Sequence, residues 1–186
     1  PFPASEHVTE ISGTKGGLDE FREVYSYQGE KLLHYHIFRP DGAGSWKEWL
    51  RHSYHYPSEN MIVETREGVV DSVWFPANKY EKKLNGDALE QIIIYDHDQG
   101  SPGNWRPVRK IEWTFAGERP AERITYTYPV NSWELHSRAE YLYEGTLWTG
   151  MYSFKYNNGN WDTTGCLAII YAGGSVSMVN VYEYHQ

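Results

Sequence analysis

The sequence predicts an all-β protein, an antiparallel meander of about twelve strands built from two-strand repeats of 28 residues. Two observations predict this fold. Tryptophans recur at spacings of 28, 31, 28 and 28 residues, and a fixed period of this length is typical of a repeated supersecondary unit. Polar and apolar residues alternate in short stretches between turn-forming residues, as in half-buried strands. The tryptophans that define the period are Trp46, Trp74, Trp105, Trp133 and Trp161.

The alternating pattern begins at Phe21, and we expect the strand meander to occupy 20–186 of one domain that spans 1–186. Residues 1–19 lack the pattern, which predicts an N-terminal tail or a first loop. The alternation of Leu33, Tyr35 and Ile37 with polar or aromatic neighbours is typical of the stretches that follow. The predicted strands cover 21–28, 31–39, 47–56, 60–66, 69–76, 89–96, 106–115, 122–128, 134–143, 147–156, 165–172 and 175–184.

Turn-forming residues separate these strands, for example Glu67-Gly68, Asn85-Gly86 and Asn158-Gly159, where glycine and asparagine supply the positive φ of tight hairpins. No segment has sustained helical periodicity, and the one helical turn that the pattern allows covers 78–84. Short links predict antiparallel pairing of sequential strands. Twelve strands exceed what an open twisted sheet usually carries, which predicts a closed barrel or a strongly curled sheet.

A basic residue follows the tryptophan by five positions in four of the five copies, and Cys166 takes that place in the fifth. On an unbulged strand an odd offset places two side chains on opposite faces. We therefore expect Arg138 to face away from Trp133. The four basic residues are Arg51, Lys79, Lys110 and Arg138.

Composition narrows the function classes. The formal net charge of −8 argues against nucleic acid as a partner, because nucleic-acid binding depends on clustered Lys and Arg. The one cysteine, Cys166, excludes an internal disulfide and lies in an apolar run that predicts a core position. No apolar run has the roughly 18 residues of a membrane span. The chain opens at Pro1 instead of Met, and we expect a secreted or bacterial cell-envelope protein.

One string resembles the tyrosine–aspartate (YD, or RHS) repeats of large bacterial surface and toxin-shell proteins, whose pattern is roughly Tyr-x-Tyr-Asp-x-x-Gly-Asn/Arg-Leu. Phe154-Lys155-Tyr156-Asn157-Asn158-Gly159-Asn160 is near this pattern, and 25–29, 95–100 and 141–145 match it more loosely. The period differs, since those repeats run nearer 20 residues. The resemblance implies a secreted array of β-hairpins and indicates no particular ligand.

The tryptophan row and the basic row are the candidate ligand-binding residues. An exposed indole can stack on the C–H face of a sugar, and several at regular spacing would bind a glycan multivalently. Arg51 and Arg138 could add contacts to anionic groups, because arginine binds anions bidentately. The alternatives are that each tryptophan packs on the next unit and that the basic residues pair with nearby glutamates such as Glu112 and Glu140.

Metal and catalytic sites find less support. His34 and His36 would lie on one strand face, but a metal needs three or four converging ligands, and no further ligand follows at a cupin-like spacing. No spacing of His, Asp, Glu or Tyr selects a catalytic pair, and we assign no metal and no cofactor.

These observations predict an extracytoplasmic, non-enzymatic protein that binds a glycan or another surface polymer through its aromatic residues. Two alternatives stay open. One is an enzyme of cyclase or isomerase type that holds a small apolar ligand in an aromatic-lined barrel. The other is a structural or assembly protein. The sequence leaves the oligomeric state unknown.

Overall fold

The computed structural model describes residues 6–15, 18–42, 44–98 and 103–184, and the only regular elements in these ranges are β-strands. There are thirteen strands against the twelve predicted. No helix of the described ranges is long and apolar enough to cross a membrane. The strands are β1 (Glu6–Lys15), β2 (Leu18–Gln28), β3 (Lys31–Pro40), β4 (Trp46–Ser58), β5 (Met61–Val70), β6 (Val73–Asn85), β7 (Ala88–His97), β8 (Trp105–Ala116), β9 (Arg119–Thr127), β10 (Glu134–Glu144), β11 (Leu147–Asn157), β12 (Asn160–Ala172) and β13 (Ser175–Glu183).

All thirteen strands belong to one sheet whose spatial order is the chain order, which confirms the predicted all-β meander. Each pair for which the register is defined is antiparallel. A closed barrel requires its first and last strands to pair. Within the described residues β1 pairs with β2 alone and β13 with β12 alone, so the predicted barrel is wrong. The enzyme alternative loses the barrel interior on which it depended. A strongly curled sheet stays a prediction.

Three local predictions are also wrong. Residues 6–15 form β1 instead of a tail or loop, while 1–5 and 16–17 lie outside the described residues. The turn predicted at Glu67-Gly68 lies inside β5, and the chain reverses at Asp71 and Ser72, with φ of 50° and 66°. Two consecutive residues with positive φ form a hairpin turn of the I′ kind without glycine, which the sequence pattern did not indicate. The helical turn at 78–84 is part of β6.

The chain forms two compact units. Unit 1 contains Pro1–Lys82 and Ile94–Arg106, and unit 2 contains Lys83–Ile93 and Pro107–Gln186. The prediction that the chain acts as one domain stays a prediction.

Neither unit contains a helix or a second sheet among its described residues, and few of those side chains are buried. Unit 1 buries Ser26, His52 and Glu64, and unit 2 buries Thr125 and Ala139. Ala139 is the one apolar side chain of the described residues that is fully buried. Contacts between side chains on neighbouring strands therefore stabilise each unit, since these contacts are the general unit of sheet stabilisation.

The periodic tryptophans are the first or second residues of β4, β6, β8 and β12 and the residue before β10. A bulge follows the tryptophan by three residues in three of these strands. In β4, Glu48 and Leu50 oppose neighbouring residues of β3, so that Trp49 is an extra residue. The same shift of register occurs at His136 in β10 and at Thr164 in β12. A bulge adds one residue to one strand and changes the direction of its side chain.

The bulge reverses the predicted relation between tryptophan and basic residue. Because one extra residue intervenes, an offset of five returns the side chain to the face of the tryptophan. Trp46 and Arg51 therefore share a face, as do Trp133 and Arg138. The prediction that Arg138 faces away from Trp133 is wrong, because it assumed an unbulged strand.

Close approach of the backbone at Gly150 generates a prediction. A Cβ at this position of β11 would lie 2.3 Å from the carbonyl oxygen of Leu167 in β12. We expect Gly150→Ala to lower the free energy of unfolding by about 1–3 kcal/mol, as overpacking generally does. Gly68→Ala is the matched control, because a Cβ at Gly68 has no neighbour within 4 Å. Urea denaturation measures both, and equal effects would contradict the interpretation.

Candidate functional site

The five periodic tryptophans are all half-buried. Three of them pack edge-on against a ring that precedes them across a hairpin turn: Trp105 against His97, Trp133 against Tyr128 and Trp161 against Tyr156. The centroid distances are 5.5, 4.9 and 5.1 Å, and the interplanar angles are 76°, 62° and 64°. The same local contact thus recurs in three hairpins and covers part of each indole.

In unit 1 the basic residues of the predicted row are engaged by both an aromatic ring and a carboxylate. The guanidinium of Arg51 lies 4.2 Å from the ring centre of Trp74, and its Nε donates to Glu67 at 2.6 Å. The ammonium of Lys79 lies 4.1 Å from the ring centre of Tyr95 and 2.9 Å from Glu81.

Unit 2 repeats this arrangement. The Lys110 ammonium lies 4.0 Å from the ring centre of Tyr126 and 2.9 Å from a carboxylate oxygen of Glu112. Arg138 lies 5.5 Å from the ring centre of Phe154 and pairs with Glu140 at 2.5 Å and with Glu122. An anionic polymer would have to displace these carboxylates before it could bind Arg51 or Arg138. The pairing with Glu112 and Glu140 is the alternative that the sequence had left open.

The contacts among Lys110, Glu112 and Tyr126 also shift pKa values. Burial, followed by the hydrogen bond to Glu112, raises the pKa of Tyr126 to about 12. Burial alone would raise the pKa of Glu112, but hydrogen bonds from Lys110, Tyr126 and Gln91 outweigh it and lower that pKa. The carboxylate is therefore ionised and the phenol protonated over the physiological range.

The histidines whose side chains the structure describes do not converge on a metal site. The rings of His34 and His36 are 6.0 Å apart, and Nδ1 of His36 lies 2.5 Å from a carboxylate oxygen of Glu48. Across the described ranges no three His, Cys, Asp or Glu side chains are placed to hold one ion. Cys166 is half-buried, and in the register of β12 and β13 it lies opposite Tyr182.

Glu64 is the most buried large side chain in unit 1, with 1% of its surface exposed. Three donors from three consecutive strands surround its carboxylate: Nδ1 of His52 at 2.8 Å, Nε of Arg66 at 2.5 Å and Nζ of Lys82 at 2.5 Å. His52 is itself only 7% exposed, and its Nε2 has no hydrogen-bond partner. We call these four residues the Glu64 cluster.

The pKa of Glu64 shows which effect dominates in this cluster. Burial alone would raise the pKa, because it disfavours the charged form. The hydrogen bonds from His52, Arg66 and Lys82 outweigh burial and hold the pKa well below its usual range. No residue of the Glu64 cluster lines either of the two grooves beside Trp49, and we interpret the cluster as structural.

Trp49 is the most exposed of the eight tryptophans. It is the bulged residue of β4 and 44% exposed, and only Trp148, at 38%, is also classed as exposed among the eight tryptophans. The guanidinium of Arg39 lies 4.2 Å from its ring centre. Phe75 is 51% exposed and lines a groove that also contacts Trp49.

Two adjoining grooves of unit 1 share Trp49 and Val69, and we call their combined lining the Trp49 surface. The first groove, of about 320 Å³, has a largely charged rim. The second, of about 280 Å³, is apolar. The first is lined by Arg39, Pro40, Asp41, Lys47, Glu48, Trp49, Val69, Asp71 and Ser72, and the second by Trp49, Leu50, Gly68, Val69, Val70, Phe75, Pro76 and Ala77.

The Trp49 surface did not emerge from the sequence, because Trp49 does not follow the period. The signal that was available is the short spacing between Trp46 and Trp49, since an unbulged strand would place them on opposite faces. A third groove, in unit 2, has one aromatic ring in its lining, the half-buried Phe115, beside Asn85, Asp87, Ala88, Gly117 and Glu118.

No protein-family model matches the chain, and no curated protein matches it in sequence. Among solved structures it is similar to a protein of unknown function from Bacteroides fragilis NCTC 9343, with 13% sequence identity and a TM-score of 0.48. The similarity covers 73% of this chain and 92% of that one.

The Glu64 cluster generates a stability prediction. We expect Glu64→Ala to lower the free energy of unfolding by about 1–3 kcal/mol, because it leaves the buried His52 without its partner and removes the carboxylate that the partly exposed Arg66 and Lys82 both contact. The matched control in the same unit is Glu10→Ala. Glu10 is bonded to Arg22 at 2.9 Å but half of its side chain is exposed, and its removal should change stability by about 1 kcal/mol at most. Chemical denaturation followed by tryptophan fluorescence compares the two, and a smaller loss for Glu64→Ala would contradict this role.

The lowered pKa of Glu64 also predicts a pH dependence. The pKa of Glu64 is lower in the folded than in the unfolded state, where it is about 4.3. The ionised carboxylate therefore contributes its full stabilisation above about pH 4.3, and this stabilisation is lost as the pH falls below that value toward the lower pKa of the folded state. We expect the stability of the wild type to decline on acidification below about pH 4 more steeply than that of Glu64→Gln. Denaturation series at several pH values measure the two slopes, and parallel curves would show that another carboxylate dominates.

Proposed function

We propose that this is a non-enzymatic binding protein that recognises a neutral glycan chain on the Trp49 surface. The observation that carries the proposal is the exposed indole of Trp49 at the junction of two grooves. Binding sites for small ligands are generally concave, largely apolar and equipped with a few polar groups that fix orientation. The Trp49 surface has these properties.

The chemistry of a sugar matches the two kinds of lining. The C–H face of a pyranose is apolar and can stack on an indole, while its hydroxyl groups require hydrogen-bond partners. The charged groove supplies both donors, such as Arg39 and Lys47, and acceptors, such as Asp71. A glycan that extends from the first groove over Trp49 would place its next sugar residue against Phe75 in the second groove.

The charge of the rim favours a neutral glycan over an acidic one. Arg39 and Lys47 are offset by Asp41, Glu48 and Asp71, and the cations of the predicted basic row hold carboxylates of the protein itself. A uronic or sulfated polymer would therefore meet no surplus of positive charge at this surface. The formal net charge of −8 adds to the repulsion.

Two further parts of the proposal concern the origin of the chain and the location of the protein. The edge-on ring contact that recurs at Trp105, Trp133 and Trp161 supports duplicated two-strand modules as the origin of the chain. The acidic composition and the single cysteine are compatible with a secreted or cell-envelope protein. The resemblance to YD repeats stays a prediction.

Removal of the Trp49 ring tests the proposal. We expect native gels that contain neutral polysaccharides to retard the wild-type protein. Trp49→Ala should bind the retarding polysaccharide at least about tenfold more weakly, a loss of about 1.4 kcal/mol from the stacking contact. Fluorescence titration with oligosaccharides of the same polymer gives the affinities.

Trp148→Ala provides the matched control, because Trp148 is also exposed but lies in unit 2, outside both grooves. Its binding should equal that of the wild type. If no neutral polysaccharide retards the wild type, or if the two variants lose affinity equally, the Trp49 surface is not the glycan site.

A further inference from the structure

The last strand of the sheet has an unusual surface for an edge. Every residue of β13 except Asn180 is exposed. Tyr184 follows the strand and is also exposed, and most of these exposed residues are large and apolar. Glu183 is the one charged residue between Ser175 and Tyr184. The large apolar side chains are Val176, Met178, Val179, Val181, Tyr182 and Tyr184, each at least half exposed.

Edge strands of soluble proteins are commonly protected by charged side chains, prolines or a covering element, because their free backbone groups pair readily with other strands. The opposite edge, β1, contains Glu6, Glu10 and Lys15, and Glu10 pairs with Arg22 on β2. The β13 strand contains no lysine, arginine or proline. The contrast indicates that β13 is suited to pair with a strand.

The backbone of β13 defines which residues could form such a pair. The N–H of Tyr184 donates to the carbonyl of Thr164 at 3.0 Å, so the backbone groups of Tyr184 point toward β12. In an antiparallel ladder the direction alternates along the strand. The N–H and C=O groups of Val179, Val181 and Glu183 therefore point away from β12, toward the open edge.

We propose that two copies of this chain associate through β13, antiparallel and around a two-fold axis at Val181. In this register Val181 opposes Val181 of the second copy, and Val179 opposes Glu183. All three outward-facing residues of each copy then form hydrogen-bonded pairs, and the bulge near Val176 stays outside the ladder. The proposal is independent of the glycan site.

The side chains of β13 are compatible with pairing to β13 of a second copy. No like charges oppose each other, since Glu183 faces a valine, and like charges in opposed positions would destabilise the pair. On the other face of the sheet Tyr184 opposes Met178, and Tyr182 opposes Asn180. Pairing of β13 with β1 of another copy would instead leave an open edge on each copy and continue without limit.

Light scattering during size-exclusion chromatography of the full chain tests the proposal. We expect twice the mass of one chain for the wild type and a single-chain mass for Val181→Lys, which places two lysines opposite each other on the axis. Val8→Lys is the matched control on β1, with 64% exposure against 67% for Val181. This variant should remain a dimer, and circular dichroism should show that all three proteins are folded.

Cysteine cross-linking tests the register. In a Cys166→Ser background, Val181→Cys should form an intermolecular disulfide under mild oxidation, and Val8→Cys should not. A single-chain mass for the wild type at the highest soluble concentration overturns the proposal, as does a dimer that Val181→Lys leaves intact. Open-ended assemblies, or a dimer that only Val8→Lys dissociates, would assign the contact to β1 instead.

Discussion

Among its described residues neither unit has a helix or a second sheet, so each depends on contacts between side chains of neighbouring strands, and in unit 1 the buried carboxylate of Glu64 joins three of those strands. Burying a charge is costly unless donors compensate it. His52, Arg66 and Lys82 supply three hydrogen bonds from β4, β5 and β6, and so the carboxylate remains ionised. The Glu64 carboxylate thus links three neighbouring strands in their register, a role that a cluster of apolar side chains would have in a protein with a packed core.

The basic residues extend the same solution along the sheet. Lysine and arginine cover aromatic rings with their cations while their aliphatic stems pack on the surface. At Lys79, Lys110 and Arg138, but not at Arg51, the carboxylate follows the cation by two residues and the ring follows it by sixteen. Lys79, Glu81 and Tyr95 form such a group in unit 1, and Lys110, Glu112 and Tyr126 form one in unit 2. The basic residues of this row hold carboxylates of the protein and the periodic tryptophans are half-buried, whereas Trp49, which Arg39 covers at 4.2 Å, keeps 44% of its surface exposed. This difference moves the candidate site from the periodic tryptophans to the bulged one.

Period-two alternation identified most strands, because the side chains of a strand do alternate between faces. It failed where the backbone departs from that rule. The Asp71-Ser72 turn uses positive φ without glycine, so the turn was predicted at Gly68 instead. The bulges after the periodic tryptophans are register shifts, and the pairing partner that reveals them is absent from a linear pattern. Trp49 was missed for this reason, as its exposure is a product of the bulge.

Single exposed indoles usually give weak sugar binding, because one stacking contact supplies only a small free energy. A dimer through β13 would carry two Trp49 surfaces, and linkage of two weak sites can raise the apparent affinity for a polymer well above that of either site. A repeating glycan offers many equivalent positions, whereas a short oligosaccharide engages only one site. The proposed dimer contact belongs to unit 2 and the proposed glycan site to unit 1, and together they predict that the protein holds a polymer more tightly than its short fragments.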